Sequence, residues 1–277
     1  MRGLLFAAFG GIVLISSICC ANDSTRTCTS VLDVLGNDLA VSGQDALSFF
    51  SAPLQFTGTE WLYAGSFAAG TLLLMAMDDE LQRRVGRETV LSLNNDIWDI
   101  PTRYGVVTYA NLFSGAVYLT GLLTYDDLRV TGRLLLESLT FSGVAVVIAR
   151  YIFARSRPYA HDGPWKFNGF TWDNEIQAFP SGHTTVAFAM STVLAERIDN
   201  LWSRIVFYGM ASLTAYSRVV NNQHWFSDVV VGAALGLGAG LHVIGMGKRH
   251  ESYSPAQEGR LMVYPSTHGI RIAYRID

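Results

Sequence analysis

Six apolar segments of helical length, separated by short polar breaks, fill the chain from residue 61 to residue 247 and leave it few ways to fold. They run Trp61–Met77, Gly105–Thr124, Gly132–Phe153, His183–Ala195, Leu201–Tyr216 and Phe226–Gly247. Their lengths exceed those of strands and strand signals are absent. Glycine is spread through them instead of gathering at turns, so each is predicted to be a helix. Asp78, Asp79 and Glu80 are expected to end the first segment, and Asp199 with Asn200 to divide the fourth from the fifth. In the tail, Ile270, Ile272, Tyr274 and Ile276 alternate with Arg271, Ala273 and Arg275, the pattern of a hairpin strand. The expected fold class is therefore all-α, a six-helix bundle with a short C-terminal β-hairpin.

Composition narrows the partners. Of 277 residues 50% are hydrophobic and 16% charged, enough for a large core and leaner in charge than a typical soluble domain. A net charge of −3 gives no basic footprint, which sets nucleic acid aside and leaves a membrane as the expected partner. Arg2, an apolar run from Gly3 to Ile15 and the small residues Ser16, Ser17 and Ala21 read as a signal peptide over residues 1–21, with an uncleaved first membrane helix as the alternative. Removal of that signal leaves Cys28 as the one cysteine, so no intramolecular disulfide is expected. The expected organisation is a signal peptide 1–21, an N-terminal extension 22–60 containing a helical patch at Asp45–Phe56, a six-helix domain 61–247 and a tail 248–277. The second and sixth segments reach the roughly 20 residues needed to cross a bilayer, whereas the fourth suits a buried core helix equally well. If all six cross, the polar islands described next are cytoplasmic; if Trp61–Met77 does not, they face the periplasm, the placement expected here. A soluble or peripheral helical domain stays open.

Three polar islands interrupt the apolar sequence. The first holds Arg150, Arg157 and Pro158, the second Pro180, Ser181, Gly182 and His183, and the third Ser217, Arg218, His224 and Asp228. On a helix the seven-residue spacing from Arg150 to Arg157 is two turns, which aims both guanidiniums the same way. The four-residue spacing from His224 to Asp228 lets a carboxylate meet an imidazole on one helix face. Histidines, arginines and an aspartate at helix mouths, among apolar walls and unpaired backbone donors, suit an anion, and phosphate is the expected one.

Taken together, Arg150-x6-Arg157-Pro158, Pro180-Ser181-Gly182-His183 and Ser217-Arg218-x5-His224-x3-Asp228 resemble the three-part signature of the type 2 phosphatidate phosphatase and vanadium haloperoxidase superfamily. The resemblance covers roughly residues 132–247 and implies that family's six-helix bundle. It further implies that His224 is the nucleophile supported by Asp228, and that His183 is the general acid. Arg150, Arg157 and Arg218 would clamp the phosphoryl oxygens, with the Ser181 hydroxyl and the Gly182 amide completing the cradle. Three fixed cations do the work that a metal does elsewhere, so neither metal nor cofactor is expected. One position departs: Arg150 stands where the family usually carries Lys, in a chain where 18 of the 20 basic residues are Arg.

The implied activity is hydrolysis of a lipid phosphate or diphosphate in the cell envelope. Alternatives are a soluble or peripheral acid phosphatase, a vanadate-dependent haloperoxidase, and a membrane protein that keeps the pocket as an anion site. The segment Tyr159–Phe179 carries Trp165, Phe167, Phe170 and Trp172, candidates to cover the site and touch lipid tails. Arg155 falls outside the signature, His242 reads as a satisfied core histidine, and His161 is a candidate contact in the substrate loop.

Overall fold

The computed structural model describes residues 31–90, 99–173, 176–253, 259–266 and 269–276; the expected signal peptide and Cys28 lie outside them. The described residues hold eight α-helices: α1 (Val31–Ser51), α2 (Gly58–Val90), α3 (Asp99–Tyr104), α4 (Val107–Leu123), α5 (Asp126–Phe153), α6 (Gly182–Ile198), α7 (Leu201–Val220) and α8 (Phe226–Tyr253). All six apolar segments are helical. The expected count of six is corrected by α1 and α3. In α1 the apolar residues are interrupted by Asp33, Asp38 and Asp45 and form no continuous run, and α3 is only six residues long and holds Pro101. The tail contains two antiparallel strands, Gly259–Ser266 and Gly269–Ile276, paired from Gly259 with Ile276 to Ser266 with Gly269.

Local chemistry accounts for the helix ends. At the entry to α2 the Thr57 amide donates to Glu60 Oε2 at 2.7 Å and the Glu60 amide to Thr57 Oγ1 at 3.3 Å, a reciprocal capping box. Asp199 closes α6 in a left-handed conformation, and the Asn200 side chain accepts from the Ser203 amide to start α7, so the expected break holds. The break expected at Asp78–Glu80 does not occur, because α2 continues through it to Val90. Glu80 pairs with Arg83 and Arg84 one turn on, while Asp78 points inward and finds partners there.

Helix α6 forms the centre of the bundle, packed on α5, α7 and α8. Leu134, Leu135 and Leu139 of α5 meet Val186, Met190 and Val193 of α6 and Val243 of α8 in the main core. The contact between α6 and α8 is backbone-close. A Cβ at Gly232 would stand 2.6 Å from the Ser181 carbonyl oxygen, one at Gly236 2.3 Å from that of Thr185, and one at Gly240 2.6 Å from Thr192 Cβ. Glycines four apart thus form a smooth strip on α8, and this strip fixes where the starts of both helices sit relative to each other.

Helix α1 docks against α4, α5 and α8 through charge. Arg129 donates to Asp38 at 2.5 Å, Tyr118 donates to Asp38 at 2.7 Å, Ser42 donates to Glu137 at 2.6 Å, and the His250 ring meets Asp45 at 2.8 Å. The outer faces of α2, α4 and α7 remain apolar, with Leu62, Leu73, Leu112, Leu119, Trp202 and Val206 all exposed. Exposed apolar surface on this scale suits a lipid surround. Two helices among the described residues, Asp126–Phe153 and Phe226–His250, are long and apolar enough to cross a membrane.

The glycine strip makes a testable demand. Gly236→Ala forces backbone apart from backbone, and overpacking of this kind costs about 1–3 kcal/mol. We expect a lower Tm for this variant in detergent, whereas Gly238→Ala, where nothing lies within 4 Å, should leave the Tm unchanged or slightly raised.

Candidate active site

The three islands meet at one end of the bundle, where α5 leaves and α6 and α8 begin. Helix α5 ends at Phe153, and Ala154 turns the chain back with φ 42°. Arg157 therefore does not continue the α5 helix, as its spacing suggested; it lies in the segment that returns across the site. Arg150 Nε donates to the Pro180 carbonyl at 3.0 Å, and Arg157 Nη1 to the Gln223 side-chain oxygen at 3.1 Å. Arg218 is 8% exposed, and its buried Nε has no hydrogen-bond partner among the described residues. Burial, followed by the neighbouring Arg157 charge, lowers the Arg218 pKa to about 10, so the group remains a cation at neutral pH.

Ser181 occupies the N-cap of α6 but does not use its side chain as a cap; its hydroxyl accepts from Thr184 Oγ1 at 3.0 Å. Its amide donates to the Asp228 carbonyl at 3.0 Å, which ties the start of α6 to the start of α8. Gly182 lies directly under Arg150, since a Cβ there would stand 3.1 Å from Nη2. Half-buried His183 follows on the first turn of α6. Its pKa is held down to about 3, first by burial and then by Arg218, His224, Arg150 and Arg157. Arg150 over Gly182, Arg157 on the Gln223 side chain and the Arg218 carbonyl on the His224 amide at 3.2 Å bring the three signature arginines to the two histidines.

His224 is 1% exposed and lies before α8, not on it, because the helix starts at Phe226. The expected contact through one helix face is therefore corrected. Its Nδ1 lies 2.7 Å from the Ala178 carbonyl oxygen and 3.8 Å from Asp228 Oδ2, too far for a hydrogen bond. A carbonyl only accepts, so Nδ1 carries the proton and the Nε2 lone pair is the one left for chemistry. Asp228 acts on the ring through charge alone. Burial lowers the His224 pKa to about 4, with Asp228 raising it and Arg150 and Arg157 lowering it further.

The Asp228 carboxylate is committed elsewhere. Its Oδ2 accepts from the Trp225 amide at 2.9 Å and its Oδ1 from Arg155 Nη1 at 2.5 Å. Arg155 is wholly buried, donating to Ser227 Oγ at 2.8 Å, to Asp78 Oδ2 at 2.8 Å and to the Pro164 carbonyl at 2.7 Å. Its own carbonyl accepts from the Ala178 amide at 2.9 Å, fixing the residue that orients His224. Asp78 also accepts from the Ser227 amide at 3.0 Å and its hydroxyl at 2.5 Å. Burial raises the Asp78 carboxyl above the ordinary range, and the Ser227 and Arg155 donors pull it back.

Sequence reasoning missed both of these residues. A signal existed: an Arg two places before Arg157 on a turn flanked by aromatics, and an Asp where an apolar helix does not stop. His242 differs from expectation too, since it packs edge-on to Phe49 and its buried Nε2 has no hydrogen-bond partner among the described residues. In the aromatic segment Phe170 is 71% and Trp172 67% exposed, and Trp172 stacks on Tyr151 of α5 at 4.5 Å.

Residues 131–252 match the PAP2 superfamily. Over 97 residues the chain is 39% identical to a lipid A 1-phosphatase of Porphyromonas gingivalis, covering 34% of this chain and 19% of that one. Over 107 residues it is 31% identical to a lipid A 1-phosphatase of Rhizobium etli, covering 38% and 45%. The chain thus spans less than half the length of either relative. The transmembrane PAP2-type phosphatidylglycerolphosphate phosphatase of Bacillus subtilis superposes with a TM-score of 0.53 at 19% identity, over 68% of this chain and 98% of that one. That likeness is one of helical fold, and the C-terminal strand pair takes no support from it.

If the three guanidiniums form an anion site, Arg218→Gln should weaken inorganic phosphate. A lost charge-assisted hydrogen bond is worth about 1.5–3 kcal/mol, or roughly 10- to 100-fold in Kd. Titration calorimetry of folded variant against wild type reads this directly, and equal affinities would remove Arg218 from the site.

Proposed function

We propose that this chain, whose residues 131–252 match the PAP2 superfamily, is a phosphatase that hydrolyses a lipid phosphate or diphosphate, without a metal, through a phosphohistidine on His224. The observation that carries the reading is geometric: Arg150 reaches the Pro180 carbonyl at the start of the helix that carries His183, Arg157 reaches the Gln223 side chain next to His224, and the carbonyl of buried Arg218 accepts from the His224 amide at 3.2 Å. Cations gathered there at the expense of their own solvation form a site for a multiply charged anion.

The steps follow from the atoms available. The Nε2 lone pair of His224 attacks phosphorus in line, while the bond from phosphorus to the ester oxygen breaks and its electron pair leaves with that oxygen. His183 gives the departing oxygen a proton, and the arginines hold the three equatorial oxygens. A water molecule then loses a proton to His183 and attacks phosphorus. The phosphorus–nitrogen bond breaks, the pair returns to Nε2, and inorganic phosphate leaves. The low pKa of His183 is set by burial and cations, and a bound phosphate anion opposes the cationic part of that field, raising the pKa toward what a general acid needs.

A lipid substrate is supported by the apolar outer faces of α2, α4 and α7 and by the exposed aromatics at the mouth, where a tail can lie while the phosphate enters. Two relatives are lipid A 1-phosphatases, so a lipid A phosphate leads the panel of substrates to be tried. The matching organisation is signal peptide 1–21, extension 22–60, phosphatase domain 61–247 and tail 248–277. The proposed site opens on the periplasmic side of a bacterial envelope.

Purified protein should release phosphate in excess EDTA and be inhibited by vanadate; activity lost to chelator and restored by Mg²⁺ would overturn the mechanism. The two histidines separate by leaving group. With a lipid phosphate, His183→Ala should lose about 10²- to 10⁴-fold in kcat, recovering part of it with p-nitrophenyl phosphate, whose leaving group needs little protonation. His224→Ala should be inactive with both and trap no acid-labile, base-stable phosphate on quenched protein. Equal trapping in wild type and His224→Ala would move the nucleophile elsewhere.

A further inference from the structure

Among the described residues, Asp228 from α8 is the carboxylate that stands beside the His224 ring, 3.8 Å from Nδ1. Arg150 from α5, Arg157 from the returning segment, His183 from α6 and Arg218 from α7 are cationic or become so on protonation. The cation that forms when His224 takes a phosphoryl group therefore depends on how much negative charge Asp228 still presents. Arg155 donates to that carboxylate at 2.5 Å. Paired with Arg155 alone, Asp228 would be neutralised. It is not paired alone: Arg155 also donates to Asp78 at 2.8 Å, and all three side chains are 0% exposed. Two carboxylates share one guanidinium, and one negative charge is left behind the imidazole.

We propose that Asp78, carried on α2 outside all three signature islands, is a positioning residue for the nucleophile: by sharing Arg155 it keeps the charge of Asp228 available to His224. Its placement serves this role twice. The Ser227 amide and hydroxyl hold it at the first turn of α8, where the helix end favours an anion. Arg155, fixed by Asp78, lends its carbonyl to the Ala178 amide, and the Ala178 carbonyl holds Nδ1 of His224. Charge and orientation of the nucleophile thus both trace to one aspartate about 150 residues earlier in the chain.

The inference rests on His224 as nucleophile, and the experiment keeps the two apart. Phosphohistidine trapping on the wild-type chain tests that reading first. Asp78→Asn, of the same shape without the charge, is then compared with wild type on p-nitrophenyl phosphate across pH. We expect kcat to fall about 10- to 100-fold, the usual effect of losing an outer partner of a site. The acid limb of kcat/KM should move to lower pH, because loss of an anion favours neutral His224. Inhibition by inorganic phosphate should stay within about twofold, since the clamp is untouched. Asp78→Glu should restore the position of the limb. The double variant Asp78→Asn with Arg155→Gln leaves Asp228 alone and buries no unmatched guanidinium, so its limb should return to the wild-type position or above it. A rate loss with an unmoved limb, or a double variant whose limb lies below that of wild type, overturns the proposal. The double variant decides the matter even if Asp78→Asn does not fold.

Discussion

The buried guanidinium of Arg155 joins three parts of the molecule that share no sequence neighbourhood: α2 through Asp78, the segment leaving α5 through its own backbone, and α8 through Ser227 and Asp228. Losing one partner of a fully desolvated ion pair costs about 3–5 kcal/mol, a large part of the stability of an ordinary domain. The group also stands within 5.6 Å of the ring centroids of both Phe167 and Trp225. The aromatic segment is thereby anchored at its root while Phe170 and Trp172 project outward. An interaction that begins as a structural necessity ends by fixing the His224 ring in one tautomer.

Most of the helical frame was legible in the sequence because long apolar runs admit few alternatives, and the islands stood out against them. Where reading failed, the cause was tertiary. Asp78 looks like a helix stop until Ser227 and Arg155 arrive from far along the chain to satisfy it. His224 and Asp228 have helical spacing, yet the helix begins two residues after the histidine, so the expected contact is taken by a carbonyl from Ala178. Spacing is a guide to neighbours only where both residues are in the element. Helix α1 was legible only in its last turns, inside the patch expected at Asp45–Phe56, because its attachment is ionic and its charged residues look solvated until Arg129, Arg133 and His250 are seen opposite them.

The glycine strip of α8 and the islands are parts of one design. Because α8 approaches α6 closely at Gly232 and Gly236, the Ser181 amide can reach the Asp228 carbonyl at 3.0 Å. The two histidines stand on different segments, and this close approach fixes the start of the one segment against the start of the other. Apolar packing, which carries no specificity of its own, is what gives the polar groups theirs.

Arg150, where the resembled family usually carries lysine, has a consequence for the proton balance of the proposed clamp. An ammonium buried beside two other cations readily gives up its proton, and a clamp containing one would fade as the medium turned alkaline. Guanidiniums resist this; even Arg218, under burial and a like charge, stays ionised well above neutrality. An all-arginine clamp is insensitive to pH across the range in which cells live. What such a pocket senses is the ionisation of its guest, since the second proton of a phosphomonoester leaves near about pH 6.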